Sequence, residues 1–320
     1  MSSTLLTSIL DTFKKNKEHF SAGISILPDK VQLVKLQEKQ NQVICTGFDV
    51  ITTANDEQVV AALEAMINKH NLTSASTTIV LPANKVESTQ LDTSEVPDRE
   101  VTATLPWKVK DLINIPPQDM ICDYIDMPLQ PTGQQAKTQI IAVTRSYIEK
   151  VIQPFHDAKA KISALTTEQF AIAKLQTSED AAQLIFIQHK KSDAILLIVK
   201  NQQIAFARKI RNTAAIIDMT PEQLQMGGSD QVAIEIQRSI DYFESQLKQP
   251  PIKNAYLAME GNNSELLIDA LNQVLPVKTK VIPLDNLDSP NGLDSSFISA
   301  VGAALYLQPV SIKKEPVSEN

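Results

Sequence analysis

The chain has 320 residues, 43% of them hydrophobic, and a formal net charge of −7 from 30 Lys and Arg against 37 Asp and Glu. That acidic balance, with five scattered arginines, excludes a general nucleic-acid role, because phosphate binding needs concentrated cations. Only 8 glycines occur, where average usage of roughly 7% would supply nearly three times as many, and no pair has dinucleotide-loop or P-loop spacing; a Rossmann dehydrogenase or a Walker-type ATPase is thereby excluded.

In chain order, residues 1–20 form an amphipathic segment in which Leu5, Leu6, Ile9, Leu10 and Phe13 make a helical stripe followed by Lys14, Lys15 and Lys17. It reads as a docked terminal helix, with peripheral membrane contact as the alternative. From Ser21 come three strands (SAGISIL, VQLVKL, VICTGFDV) joined by the turns at Pro28-Asp29 and Lys39 to Asn41. A helix from Asp56 to His70 carries Val59, Val60, Leu63, Met66 and Ile67 on one side, and a strand from Thr77 to Leu81 ends at Pro82. Residues 83–138 read as an inserted α+β subdomain with a helix from Asp98 to Leu112 and a strand from Ile121 to Met127, and a further strand runs from Gln139 to Thr144. The helix Arg145 to Ala158, the strand Lys161 to Leu165 and the helix Thr167 to Leu175 close the first half.

The same order then returns. Strands at Gln183 to Gln188, Ala194 to Val199 and Gln203 to Ile210 precede a helix from Asp230 to Leu247 and a strand from Asn254 to Met259. A helix from Ser264 to Val274, a strand from Lys278 to Ile282 and a helix from Ser295 to Leu307 follow, and residues 308–320 read as a disordered tail. Antiparallel hairpins leading into helix-linked strands, twice over, predict two α/β lobes facing a cleft, over residues 21–178 and 179–307. This is the actin-like, or ribonuclease-H-like, architecture.

Three stretches carry a family resemblance: DREVTATLPWKVKDLINIPPQDMICDYIDMP, IIAVTRSYIEKVIQPFHDAKAKISALTTEQFAIAKL and VAIEIQRSIDYFESQ. They resemble, in order, the inserted subdomain, the closure of the first lobe and the long second-lobe helix of PilM-like proteins of type IV pilus assembly, over about Ser21 to Leu307. Within that family the chain is most similar to the branch serving the mannose-sensitive haemagglutinin (MSHA) pilus. The resemblance implies a cytoplasmic actin-like protein, associated with the inner membrane through a partner. That partner would be a PilN-like bitopic membrane protein whose short cytoplasmic tail it binds, alongside other pilus assembly proteins. It also points to a groove for that tail between the insertion and the first lobe, for which Trp107, Leu112, Ile113 and Tyr124 are the candidates.

The nucleotide elements that the family pattern implies are eroded. Ser25 stands at the Asp position of the first phosphate hairpin and Leu27 at its Gly position; in the second, Gln188 stands for Asp and Lys190 for Gly. A hydroxyl does not hold a metal-bound water as a carboxylate does, and a Cβ obstructs close backbone approach. Of the glycine-rich turn beneath the nucleoside, Gly261 survives, followed by Asn262 and Asn263, which also suit the start of the next helix. The expectation is a non-enzymatic scaffold without cofactor. The alternative is a nucleotide switch or weak ATPase that takes Mg-ATP through Asp29, Lys30, Lys190 and Gly261. A sugar or acetate kinase would need the same lost loops. The four histidines, His19, His70, His156 and His189, share no metal-ligand spacing and are expected to be solvated. Cys45 and Cys122 lie outside any CxxC pattern, which argues against a zinc site or a disulfide framework, and without a secretory leader pattern the chain is expected in the cytoplasm.

Overall fold

A computed structural model of the chain describes residues 20–39, 42–93, 102–131, 133–176, 181–261, 263–284, 287–288 and 293–306. Residues 1–19 of the amphipathic segment 1–20, His19 among them, the tail 308–320 and Asn262 lie outside the described residues. Three sheets organise the rest.

The first sheet opens with a meander of β1 (Phe20–Leu27), β2 (Lys30–Lys39) and β3 (Gln42–Thr52), followed by α1 (Asp56–Lys69) and β4 (Ala75–Leu81). Asn55 caps α1 by accepting from the Gln58 amide, and Asp56 and Glu57 in its first turn suit the helix dipole. Strand β1 runs antiparallel to β2 and parallel to β4, so it is central. Centrality explains why FSAGISIL is buried along nearly its whole length rather than alternating. Its outer face is covered by α1 and α3 (Arg145–Asp157), which bury Leu63, Met66, Ile67, Val151 and Phe155 against Ile24, Ile26 and Ile79. The strand β8 (Lys161–Thr167) pairs with β4 in parallel at one edge.

The second sheet has the order β11-β10-β9-β12-β13, built from β9 (Gln183–Gln188), β10 (Ala194–Lys200), β11 (Gln203–Ile210), β12 (Asn254–Met259) and β13 (Lys278–Val281). Its outer face carries α5 (Asp230–Asp241) and α6 (Ser264–Val274). The helix read to Leu247 is α-helical only to Asp241 and continues as a wider π-helical stretch, Tyr242–Gln246.

Between the two sheets lie α4 (Glu168–Ala173) and α7 (Ile298–Leu305), packed on each other and made largely of small residues. A Cβ added at Gly23 in β1 would sit 1.9 Å from the Ala300 carbonyl oxygen, and one added at Gly302 would sit 2.3 Å from that of Ala171. Glycine at these two positions lets strand, helix and helix stack at backbone contact. Here the sequence reading needs correction: the last helix, assigned to the second lobe, lies against the first sheet, burying Ala300, Val301 and Ala304 beside Val34 and Leu36. The two-residue strand β14 (Leu287–Asp288) likewise joins β3 of the first sheet. Residues 287–288 and 298–305 therefore return to the first sheet after the second is built.

The insertion is a three-stranded antiparallel sheet, β5-β7-β6, formed by β5 (Val86–Asp92), β6 (Met120–Asp126) and β7 (Lys137–Thr144). One face is covered by Leu105, Val109, Ile113 and Ile115. The helix read over Asp98 to Leu112 is, among the described residues, a single 3-10 turn, Thr102–Thr104, and the short α2 (Leu105–Lys108). Pro106 suits the first turn of a helix but not its interior, and the repeat Leu105, Val109, Ile113 then reaches the sheet through turns.

Candidate functional site

The tips of the two meanders line one cavity, Leu27 and Pro28 from the first and Lys191 and Ser192 from the second, and a buried charge network joins them. His189, just past β9, is 5% exposed. Its Nδ1 lies 2.8 Å from Glu260 Oε1 and its Nε2 2.5 Å from Glu168 Oε1. Glu168 opens α4 and also accepts from the Ser299 hydroxyl of α7. Glu260, one residue past β12, is held in addition by Lys30 Nζ at 2.9 Å, from the first residue of β2. One network thus ties the first meander, the second meander, the end of β12 and both central helices.

Electrostatics fixes its protonation. Burial works against charge on His189, but the facing carboxylates of Glu168 and Glu260 outweigh it and raise its pKa from 6.5 to about 10. Burial likewise opposes charge on Glu260, yet the bonds from His189 and Lys30 pull its pKa down to about 2. For Glu168 the opposition of burial is overcome by His189 and Ser299, and its pKa is lowered. The imidazolium of His189 is therefore held between the carboxylates of Glu168 and Glu260. These shifts give a pH dependence. His189, with its folded pKa above the unfolded 6.5, stabilises fully below pH 6.5, and the contribution is lost as pH rises through about 10; Glu260 stabilises above about 4.5, and its contribution is lost as pH falls toward 2. The unfolding temperature is expected to fall by several degrees between pH 7 and 9.5, with a shallower slope in His189→Gln, as thermal melts across that range would measure.

The expected nucleotide residues are placed as follows. Ser25 is 0% exposed, opposite Gln32 in the β1–β2 register, and neither Ser25 Oγ nor Gln32 Oε1 has a hydrogen-bond partner. Gln188 is also 0% exposed, and its Nε2 donates to the carbonyls of His189 and Ser192, closing its own turn. Lys30 is engaged by Glu260, Asp29 lies in the β1–β2 turn and takes the Thr53 amide on its carbonyl, and Lys190 is exposed in the β9–β10 turn. Gly261 has φ +89°, and the neighbouring Asn263 donates to the carbonyls of Ile217 and Met219. That turn clamps the second sheet's own connecting segment. A cavity of about 360 Å³ remains between the turns, lined by Ile26, Leu27, Leu81 and Ile195 as well as His189 and Lys191.

A larger groove of about 760 Å³ lies between the insertion, α4 and β11. Its walls include Val86, Ser88, Gln90, Gln139 and Ile141 from the insertion and Phe206, Arg208 and Tyr242 from the second half. None of the four expected groove residues lines it. Ile113 is 4% exposed in the core of the insertion, and Tyr124 packs against that core. Trp107 and Leu112, 61% and 55% exposed, are left outside by the Leu105, Val109, Ile113 repeat. The groove's lining was not legible, because residues 81–90, 127–141, 167–170, 195, 205–209, 242 and 247 are brought together only by the fold.

The histidines also differ from expectation. His156 is solvent-facing, but His70 is only 14% exposed and pairs with Asp49 at 2.9 Å, and His189 is the centre of the network. Among the described residues no group of three or more His, Cys, Asp or Glu could hold a metal ion, and no helix is long and apolar enough to cross a membrane.

No protein-family model and no curated protein matches the sequence. Solved structures do match. The PilM chain of a PilM-PilN type IV pilus biogenesis complex superposes with a TM-score of 0.66 at 15% identity, over 89% of this chain and 97% of that one. The fold is actin-like. Weaker superpositions are those of the ethanolamine utilization protein EutJ of Carboxydothermus hydrogenoformans (TM-score 0.49, 10% identity, 90% of this chain, 89% of that one) and the cytoplasmic domain of EpsL of Vibrio cholerae (0.47, 11%, 89% and 94%). Actin-like folds imply Mg-ATP between the two hairpins, and the residues here do not fit it. Ser25 and Gln188 supply no carboxylate and are shut from solvent, and Lys30 at the start of β2 is paired with Glu260, which leaves Lys191 and Lys209 as the lysines that line the cavity.

Proposed function

We propose that this chain is a non-enzymatic scaffold of a type IV pilus assembly machine, of the MSHA type. It works on the cytoplasmic side of the inner membrane by holding the cytoplasmic tail of a PilN-like bitopic protein in the groove between the insertion and β11. The observation that carries the reading is the Lys30–Glu260–His189–Glu168 network at the meeting of the hairpins. Protein side chains there do what nucleotide and metal do in a working actin-like cleft: they connect the lobes. The likeness to PilM, in a complex with PilN, supports the choice of partner.

Binding of the tail to the full-length chain, followed by fluorescence anisotropy, tests this. Ser88→Arg places a long cation on the exposed floor of the groove and is expected to weaken binding at least tenfold without changing the melting temperature, whereas Leu112→Asp leaves binding unchanged. Absence of wild-type binding, or loss in Leu112→Asp with none in Ser88→Arg, contradicts the proposal.

A further inference from the structure

Phe20 opens β1 at the end of the first sheet that lies away from the hairpin tip at Pro28-Asp29. Strands β4 and β8 run parallel to β1, so Ala75 and Lys161 stand at the same end, and the antiparallel β2 reaches it at Lys39. Lysines gather there. Lys39, Lys159 and Lys161 are exposed, Lys69 is exposed beside its partner Asp49, and Lys35 lies over the Phe20 ring, 4.5 Å from its centre. Among the described side chains the acids of this end are Glu38, Asp157 and Asp49, so lysines prevail in a chain whose net charge is −7. Lysine suits the C-terminus of a helix, which accounts for Lys69 and Lys159 at the ends of α1 and α3. It does not account for Lys39 and Lys161, which end and begin strands.

The sequence before Phe20 supplies an apolar counterpart. Leu5, Leu6, Ile9, Leu10 and Phe13 recur at helical spacing, and Lys14, Lys15 and Lys17 outnumber Asp11 and Glu18. The described residues offer that stripe no seat nearby. Their exposed large apolar side chains are Val50, toward the tip end of β3, four in the insertion and five in the second half, and none stands at the strand ends around Phe20. Even a fully extended chain from Phe13 to Phe20 spans only ~25 Å, which keeps the stripe close to the lysines. Apolar residues on one helical side, with cations beside them, suit a segment lying in a bilayer interface, its apolar side among acyl chains and its lysines among anionic headgroups.

We propose that residues 1–19 bind an anionic bilayer surface directly, as an amphipathic helix in its interface, with the lysines at the Phe20 end of the first sheet set against the headgroups. This contact goes beyond the tail docking above and does not depend on it. Either part alone is weak: a short apolar stripe holds a protein only marginally, and each lysine near an anionic leaflet adds about fivefold to binding. Together they seat the first sheet on the membrane by its Phe20 end. The insertion follows Leu81, at the opposite end of β4, so this contact leaves the groove uncovered.

The test pellets the full-length chain with phosphatidylcholine vesicles made with and without phosphatidylglycerol. Binding is expected to be at least tenfold tighter to the anionic vesicles and to weaken in high salt. The double substitution Ile9→Asp with Leu10→Asp is expected to abolish it, and Lys159→Glu with Lys161→Glu to weaken it tenfold or more, each without a change in melting temperature. No binding of the parent to anionic vesicles overturns the proposal, and so does binding that survives Ile9→Asp with Leu10→Asp. A lower melting temperature in that variant also overturns it, because the segment would then be packed on the protein itself. Binding indifferent to Lys159→Glu with Lys161→Glu overturns the part given to the sheet end.

Discussion

His189→Leu is expected to lower stability by about 3–5 kcal/mol, the range for breaking a buried ion pair by removing one partner. Glu260 keeps Lys30 in this variant, but Glu168, 8% exposed, is left with only the Ser299 hydroxyl. An uncompensated carboxylate between two sheets must take up a proton or draw in water, and either route loosens the contact between α4 and α7. In a chain of this size the melting temperature should fall by ~10 °C. The double variant His189→Leu with Glu168→Leu removes both charges and is expected to recover much of the loss, giving a coupling of about 1–3 kcal/mol in a double-mutant cycle. Additive losses would mean that the two groups do not act as a pair.

Gly23→Ala is expected to be as damaging, for a steric reason alone. The added methyl would stand 1.9 Å from the Ala300 oxygen and 2.3 Å from the Ala304 nitrogen, both backbone atoms of α7 that no rotamer change can move. Accommodating it means lifting α7 off β1, and with it the Ser299 contact to Glu168. Overpacking of this kind costs about 1–3 kcal/mol where side chains can yield, and more where they cannot. A melting temperature lower by ~10 °C, or insoluble protein, is the expected result. Gly47→Ala is the control, because its methyl meets only the His70 ring, at 3.4 Å, and its melting temperature should change little. Equal melting points for Gly23→Ala and the parent would contradict the close stacking.

The sequence was most legible where a strand or helix carries its own signal. QLIFIQ and AILLIV are continuous apolar runs bounded by polar turns, and both are central strands buried on two faces. SELLIDALNQV is amphipathic and forms the surface helix it suggests. Strand β5, VESTQLD, went unseen because its exposed Ser88 and Gln90 face the groove instead of a core, so hydrophobic periodicity is lacking. The destination of ISAVGAAL was hidden for another reason. Its small residues signal close packing but not against what, and only the third dimension shows that β1 lies there.

The candidate site divides along the same line. That Ser25 and Gln188 are not carboxylates could be read directly, since residue types are visible in a sequence. The charge network beside them could not. His189 stands beside Gln188, Lys190 and Lys191 in what looks like a solvated turn, while its partners lie 21 and 71 residues away and Ser299 lies 131 residues from Glu168. No local pattern links four such positions.

The most direct test of the account is thermal unfolding of the full-length chain at neutral pH with and without millimolar Mg-ATP. A ligand present at 100 times its dissociation constant adds about 2.7 kcal/mol and would raise the melting temperature by several degrees. With Lys30 bound by Glu260 and Ser25 and Gln188 shut from solvent, no shift is expected. A clear, magnesium-dependent rise would contradict a cleft joined by its own side chains and would make this protein a nucleotide-responsive switch.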